Sequence, residues 1–299
     1  MASDVELRGV YVPLVTPFAG DGSVAVDAIE RLCHEYLDAG AAGIVALGTT
    51  GEAPALDGTE KRTVIDACGR VCRQRAAQLI VGAGTNNTRA SVSAVEQLGD
   101  VDGLAAVLSV VPYYVRPSEA GIVEHFKAVA AASPAPLVVY NIPYRTGRGL
   151  GPASILELAH VPNVAGLKQA VGGVDADTLE VLAGAPAGFF PLCGDDPFIF
   201  PMTVMGGTGA IAASAHVCTD RFVAMVECAF HDKIEEGRAY AQTLLPVCKK
   251  LFAEPSPGVT KGVLHAQGRI PTPDLRLPMT RASQAAIDAA MTAIAAAAH

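Results

Sequence analysis

Eight short apolar segments alternate with amphipathic stretches over the first 230 residues, and this alternation restricts the fold more than any other feature of the chain. The apolar segments span residues 10–15, 43–47, 79–83, 103–108, 137–140, 164–168, 188–192 and 209–212. Residues 27–39, 59–72 and 118–132 place their apolar side chains on one face of a helix, the last with Ser118 as its predicted N-cap. Eight consecutive strand–helix units predict an α/β fold, the (β/α)8 TIM barrel.

A doubly wound sheet is the alternative fold for such a chain. Its nucleotide-binding form carries the glycine pattern G-x-G-x-x-G after a strand, and the segment Gly82-Ala-Gly84-Thr-Asn-Asn lacks the third glycine. Hydrophobic residues make up 51% of the chain and charged residues 17%, which suits strands that are buried on both faces. The sequence therefore favours the barrel.

The strand pattern stops at about residue 230. Residues 231–252, 256–267 and 281–299 are predicted to be helices, and prolines separate them. We expect a catalytic barrel over residues 1–230 and a small C-terminal helical domain over residues 231–299, packed on the barrel or on a neighbouring subunit.

Charge and cysteine content exclude several classes of protein. The net charge is −8 without a basic cluster, so neither nucleic acid nor a membrane surface is an expected partner. No segment reaches the roughly 18 apolar residues of a membrane span, and the N-terminus lacks the basic region of a signal peptide. The seven cysteines are scattered and form no C-x-x-C pair. These features predict a cytoplasmic protein with reduced cysteines.

Lys168 lies inside an apolar strand, whereas the other lysines fall in stretches that we predict to be polar helix faces. An ammonium group that is removed from water loses its charge more easily, and the neutral amine can attack a carbonyl to form a Schiff base. The alternative is a lysine at the end of a strand whose ammonium group reaches solvent.

Polar side chains follow the other predicted strands, and in such barrels the loops after the strands form one rim. Thr49 and Thr50 follow the second strand, Tyr114 the fourth and Arg145 the fifth, while Tyr140 ends the fifth. Hydroxyls, phenols, an arginine and a lysine on one rim suit carbonyl chemistry on a substrate that carries a carboxylate.

Each of these segments has a simpler interpretation. Gly48-Thr49-Thr50-Gly51 fits an ordinary tight turn, Tyr113-Tyr114 fits packing, and Gly206-Gly207-Thr208-Gly209 fits either a phosphate loop or a turn that enters a strand. Asp195-Asp196 could ligate a metal, but the histidines are dispersed without H-x-H or H-E-x-x-H spacing. We therefore predict no metal.

Taken together, the segments resemble the dihydrodipicolinate synthase / N-acetylneuraminate lyase family of lysine-dependent aldolases. The resemblance begins at Gly9-Val-Tyr-Val-Pro-Leu-Val-Thr-Pro-Phe18 and covers nearly the whole chain. It continues through Gly-Thr-Thr-Gly-Glu, Tyr-Asn-x-Pro and Gly-x-Lys to Gly194-Asp-Asp and the helical tail.

The resemblance implies a homotetramer, a dimer of dimers, that needs no cofactor and binds pyruvate as an imine on Lys168. It further implies that Tyr140 is the acid/base phenol and that Thr49 links Tyr140 to Tyr114, which reaches into the site of the neighbouring subunit. The residues that it places at the substrate are Thr50 at the pyruvate carboxylate, with Ile211 and Gly194 along the pocket.

Arg145 distinguishes among members of the family, because a guanidinium at this position can bind a second carboxylate bidentately, with two parallel hydrogen bonds. With Thr49-Thr50, it favours the condensation of pyruvate with L-aspartate-4-semialdehyde to 4-hydroxy-tetrahydrodipicolinate, the entry to lysine and diaminopimelate synthesis. Gln169, Tyr144 and His216 depart from that pattern, and we expect all three near the pocket. The alternatives are a pyruvate-dependent aldolase or dehydratase for another aldehyde or 2-keto acid, and an inert relative, which would be expected to lose Lys168 or Tyr140.

Regulation by lysine is not expected. Members that lysine inhibits bind it through polar and acidic groups after the Gly-Thr-Thr-Gly-Glu turn and on the helix after the third strand. The corresponding stretches here are residues 53–58 and 86–90, where Gly58 has no side chain, Ala90 has no carboxylate and Arg89 would repel an ammonium group.

Overall fold

Eight parallel strands close into a barrel in the computed structural model, which describes residues 5–298. The strands are β1 (Gly9–Pro13), β2 (Gly43–Ala46), β3 (Gln78–Gly82), β4 (Leu104–Val110), β5 (Leu137–Asn141), β6 (Val164–Gln169), β7 (Phe190–Cys193) and β8 (Gly209–Ile211). Each strand pairs with the next, and β8 pairs with β1. All eight predicted strands are confirmed, with ends that differ by at most two residues.

Helices follow the strands and cover the barrel. They are α1 (Val26–Asp38), α2 (Gly58–Gln74), α3 (Thr88–Glu96), α4 (Glu119–Ala132), α5 (Pro143–Thr146), α6 (Pro152–Ala159), α7 (Ala176–Gly184), α8 (Ile199–Val204), α9 (Thr219–Phe230), α10 (Ile234–Leu251), α11 (Gly258–Ala266) and α12 (Gln284–Ala297). The predicted cap of α4 is confirmed, because the Ser118 hydroxyl accepts a hydrogen bond from the Gly121 N–H at 3.2 Å.

The strands are buried on both faces, as the apolar composition predicts. One hydrophobic cluster fills the inside of the barrel and includes Tyr11, Val45, Ile80, Val138, Tyr140, Leu192 and Ile211. A larger cluster lies between the strands and the helices. Neighbouring residues of one strand therefore face either the barrel interior or the helix layer, and this alternation decides which side chains reach the site.

The three helices predicted after residue 230 are confirmed as α10, α11 and α12. They share a small hydrophobic cluster that includes Val247, Leu251, Val259, Val263 and Ile287. The division into two domains at residue 230 stays a prediction, and its outer limits, residues 1–4 and 299, lie outside the described residues. None of the helices within residues 5–298 has the length and apolar character that crossing a membrane requires.

Candidate active site

Lys168 is buried in the barrel wall, with only 6% of its surface exposed. It lies on β6, where its neighbours in register are Tyr140 of β5 and Leu192 of β7. The Lys168 Nζ atom lies 4.3 Å from the centre of the Tyr140 ring. The ammonium group therefore does not reach solvent, in contrast to the alternative interpretation of this lysine.

Burial lowers the pKa of Lys168 from 10.5 to about 8, and the nearby carboxylates of Asp196 and Asp195 oppose this shift. Among residues 5–298, no ion pair joins these carboxylates to Lys168. A lysine in this state supplies far more neutral amine near neutral pH than an ordinary lysine does, and the neutral amine is what nucleophilic attack on a carbonyl requires.

Tyr140 is the phenol beside this amine. Burial raises its pKa well above 10.0, negative charge at Tyr144 adds to the rise, and the Arg145 guanidinium and a hydrogen bond with Thr49 oppose it. The phenol is therefore protonated at neutral pH and can donate a proton to a group that reacts at Lys168.

Gly194 leaves room for the Lys168 side chain. A Cβ atom at this position would lie 2.9 Å from Lys168 Cε and 3.0 Å from the Ala170 Cβ, so any larger residue would displace the lysine. The Gly194 N–H donates to the Gln169 carbonyl at 2.7 Å, which holds Gly194 close to the Lys168 side chain. Ile211 belongs to the same interior cluster as Tyr140.

The turn after β2 brings two hydroxyls to this end of the barrel. Residues Thr49–Gly51 form one turn of 3₁₀ helix, in which Thr50 is buried and Thr49 is exposed. The Gly51 carbonyl accepts a hydrogen bond from the Thr16 hydroxyl at 2.7 Å, which ties the turn to the segment after β1.

Arg145, Tyr144 and Tyr114 form the exposed rim. Arg145 and Tyr144 lie on the short helix α5, with the Arg145 guanidinium carbon 5.6 Å from the centre of the Tyr144 ring. The Tyr114 N–H donates to the Thr146 carbonyl at 3.1 Å, which joins the loops after β4 and β5, while the Tyr114 side chain is 86% exposed.

Each carboxylate of the acidic pair after β7 binds a backbone N–H group. Asp195 accepts from the Gly172 N–H at 2.6 Å and Asp196 from the Ser214 N–H at 2.6 Å. Burial raises the pKa of both carboxyls. No group of three or more His, Cys, Asp or Glu side chains that could hold a metal ion occurs in the part of the chain that the structure describes.

Comparison with known proteins agrees with this geometry. Residues 6–297 match the model of the dihydrodipicolinate synthetase family. The chain belongs to this family. It is 38% identical to 4-hydroxy-tetrahydrodipicolinate synthase of Neisseria meningitidis over 290 residues, 96% of this chain and 98% of the relative. The enzyme of the same name from Moorella thermoacetica is 39% identical over 278 residues, 92% of this chain and 93% of the relative.

A solved member of the dihydrodipicolinate synthetase family has the same fold. The crystal structure of dihydrodipicolinate synthase from Acinetobacter baumannii complexed with pyruvate superposes with a TM-score of 0.93 at 31% sequence identity. The match covers 98% of this chain and 99% of the neighbour.

Gln169, one of the three departures from the family's synthase pattern, does not face the pocket. It follows Lys168 on the same strand, so its side chain points into the helix layer. There its amide accepts from the Asn141 amide at 3.0 Å and donates to the Thr178 hydroxyl at 3.2 Å. The prediction that Gln169 lies near the pocket is therefore wrong.

The same prediction is wrong for His216. Its Nε2 accepts from the Val15 N–H at 3.0 Å and its Nδ1 donates to the Ala213 carbonyl at 2.8 Å, so both ring nitrogens bind backbone. Burial lowers the pKa of His216 to about 4, and the neutral ring packs edge-on against Tyr36 of α1. His216 thus joins the loop after β8 to the end of β1. Of the three departures, Tyr144 alone stands at the rim.

Lys261 also corrects the prediction that all lysines except Lys168 lie on polar helix faces. It is fully buried in α11 and pairs with Glu52. A signal was present in the sequence, since Lys261 lies between Val259 and Val263, which are both fully buried. Its partner, however, is 209 residues away and could not be inferred from any local pattern.

Proposed function

We propose that this protein condenses pyruvate with L-aspartate-4-semialdehyde to 4-hydroxy-tetrahydrodipicolinate through an imine on Lys168. Membership of the family gives the class of reaction, a pyruvate-dependent condensation by a lyase in lysine and diaminopimelate synthesis. The single observation that carries the mechanism is Lys168 itself, a buried amine whose pKa is lowered to about 8 beside a protonated phenol.

In this mechanism the neutral amine of Lys168 adds to the keto carbon of pyruvate. The keto oxygen takes up one proton from that amine and one from Tyr140 and leaves as water, which gives the protonated imine. The Tyr140 phenolate then takes a methyl proton and converts the imine into an enamine. The enamine carbon attacks the aldehyde and forms the new carbon–carbon bond, while the aldehyde oxygen takes the proton from Tyr140 and becomes a hydroxyl. The amine of the aldehyde substrate then adds to the imine carbon, and Lys168 leaves as the free amine. No cofactor enters the proposal, because the imine provides the electron sink.

The remaining residues bind and orient the substrates. Thr50, in the turn after β2, holds the pyruvate carboxylate, since a turn of convergent donors suits an anion. Thr49 connects Tyr140 with Tyr114 of the neighbouring subunit, and Arg145 binds the carboxylate of the aldehyde. Ile211 and Gly194 shape the pocket around Lys168.

The proposal includes a homotetramer, a dimer of dimers, in the cytoplasm. Tyr113, Tyr114 and Val115 are 39%, 86% and 55% exposed on a single loop, an apolar surface that suits contact with a second copy of the chain. The free cysteines of the chain fit a reducing compartment.

A different aldehyde or 2-keto acid is the second candidate. Tyr144 favours it, because this bulky side chain stands at the rim beside Arg145, where synthases of the family usually carry a small residue. The pathway then differs, but the imine on Lys168 does not.

Reduction with borohydride tests the proposal. In the presence of pyruvate, the peptide that contains Lys168 should gain the mass of a reduced pyruvyl group, and a screen of acceptor aldehydes by product mass should identify the second substrate. An unmodified Lys168 peptide, or loss of turnover on treatment with chelators, would rule out this mechanism. If another aldehyde gives the main product, the second candidate is correct.

A further inference from the structure

Lys261 of α11 forms a buried ion pair with Glu52, the residue that directly follows the Thr49–Gly51 turn. The two side chains are 0% and 2% exposed, and Nζ lies 2.7 Å from the Glu52 Oε1 atom. Nζ also donates to the Thr16 carbonyl at 2.8 Å and lies 4.2 Å from the centre of the Phe18 ring. The ammonium group therefore joins α11 to two distant parts of the chain, the segment after β1 and the loop after β2.

Glu52 is held from two directions. Its Oε2 atom accepts from the Arg276 N–H at 2.9 Å, so the segment between α11 and α12 binds the carboxylate that Lys261 also binds. The Glu52 N–H donates to the Thr49 carbonyl at 3.2 Å, which connects the residue to the turn. Its backbone has a left-handed conformation with φ of 54°, which a residue with a side chain keeps only when its surroundings impose it.

We propose that the Lys261–Glu52 pair is a positioning device for the Thr49–Gly51 turn, through which the C-terminal helices set the geometry of pyruvate binding. This inference rests on the proposed function, in which Thr50 of that turn holds the pyruvate carboxylate. Without Lys261, the Glu52 carboxylate lies in an apolar site without its cation, and it turns toward water. Because Glu52 is bonded to Thr49 and to Arg276, that movement displaces the turn relative to Lys168.

Lys261→Met tests the positioning role, because methionine keeps most of the side-chain volume and removes the charge. Arg269→Met is the matched control. Arg269 also connects the C-terminal region to the barrel, through Glu35 and the His216 carbonyl at 2.8 Å each, but none of these contacts involves the turn. Both variants lower the midpoint of thermal unfolding.

Pyruvate binding separates the two variants. In Lys261→Met, the pyruvate concentration for half-maximal borohydride trapping on Lys168 rises by about 10- to 100-fold, the effect of a small misplacement of a binding group. In Arg269→Met it stays at the wild-type value. An unchanged value in folded Lys261→Met, or an equal rise in both variants, overturns the positioning role.

Glu52→Gln provides the same test if Lys261→Met does not fold. Glutamine keeps the acceptor for the Arg276 N–H but removes the charge that fixes Lys261. The pyruvate concentration for half-maximal trapping therefore rises in this variant too, and an unchanged concentration overturns the inference. The wild-type protein keeps the two proposals apart. Absence of trapping in the wild type contradicts the proposed function, whereas trapping with unchanged variants contradicts the positioning role alone.

Discussion

The two buried lysines of this protein, Lys168 in the barrel and Lys261 in the C-terminal helices, differ in their partners rather than in their burial. Their side chains are 6% and 0% exposed, and burial lowers the pKa of both. Lys261 is bonded to Glu52 and to the Thr16 carbonyl, and the negative charge of Glu52 opposes the shift. Within residues 5–298 Lys168 has no such bond, and its pKa is about 8.

In the proposed function, this difference separates a reactive amine, Lys168, from a structural cation, Lys261. A buried ammonium group with a bonded carboxylate is stabilised as the cation, while one without a bonded partner gives up its proton at a lower pH. The neutral form is the nucleophile, so the absence of a bonded partner at Lys168 has a chemical consequence. The same absence means that Lys168 contributes little to folding, and that prediction can be tested separately from catalysis.

Replacing each lysine with methionine should therefore give opposite results. Lys168→Met removes the nucleophile, and we expect turnover to fall by a factor on the order of 10⁴ or more. Because the variant also removes an unpaired buried cation, its free energy of unfolding should stay the same or increase. Lys261→Met should lose about 3–5 kcal/mol of stability, since Glu52 remains buried without its cation.

Thermal unfolding and initial rates of both variants, measured together, check this contrast. A loss of stability in Lys168→Met as large as that in Lys261→Met would show that Lys168 has a structural partner. Residual borohydride trapping in Lys168→Met would place the imine on another lysine.

Arg145, an exposed cation at the rim, should affect the second substrate alone. We expect Arg145→Ala to raise KM for the aldehyde and to lower kcat/KM by about 2–4 kcal/mol, as for the loss of a contact to a charged group. Imine formation with pyruvate should barely change. Arg148, exposed on the same loop, is the matched control, and Arg148→Ala should behave as the wild type.

Steady-state kinetics with each substrate varied in turn give these values. Equal losses for pyruvate and the aldehyde in Arg145→Ala would indicate that Arg145 supports the loop, or that the aldehyde carries no carboxylate.

The pH dependence of imine formation should report the state of Lys168. Since its pKa is about 8, the neutral amine is the minor form below that pH. The second-order rate of trapping with pyruvate should then rise about tenfold per pH unit below 8 and level off above it. A rate that does not change between about pH 6 and 8 would mean that the pKa of Lys168 lies well below 8.

The free energy of unfolding should also depend on pH through the titration of Lys168, and the direction of the change can be stated. The pKa of Lys168 is lower in the folded protein than its ordinary value of 10.5, so between about pH 8 and 10.5 the unfolded chain binds more protons at this residue. The contribution of Lys168 to the free energy of unfolding therefore increases with pH across that window. Lys168→Met should lack that increase, which denaturant titrations at several pH values would detect.

The sequence predicts the strands and the burial of Lys168 well because both depend on local patterns. Apolar runs separated by amphipathic helices predict the barrel, and one lysine within such a run indicates the candidate site. The sequence does not predict the positions of Gln169 and His216, because proximity in sequence does not imply a shared face. The residue after Lys168 points to the opposite side of the strand, and His216 turns its ring toward Tyr36 in the helix layer.

Contacts between segments that are far apart in the sequence cannot be predicted from any local pattern. Lys261 and Glu52 meet where the C-terminal helices pack on the barrel, so the sequence alone identifies Lys261 at most as a charge in an apolar helix. Whether a buried lysine is reactive or structural depends on such a partner, and a three-dimensional structure is needed to find it.

The smallest expected effect concerns free L-lysine, the amino acid, as an inhibitor. Its ammonium group would need a carboxylate, as Lys261 needs Glu52, because an unpaired buried ammonium group costs several kcal/mol. At the positions that the family resemblance assigns to lysine binding, Ala90 and Arg89 are exposed on the first turn of α3, and Gly58 begins α2 without a side chain. We therefore expect initial rates at subsaturating pyruvate to be unaffected by L-lysine. Half-inhibition below about 1 mM, which corresponds to roughly −4 kcal/mol of binding, would show that another group supplies the missing partner.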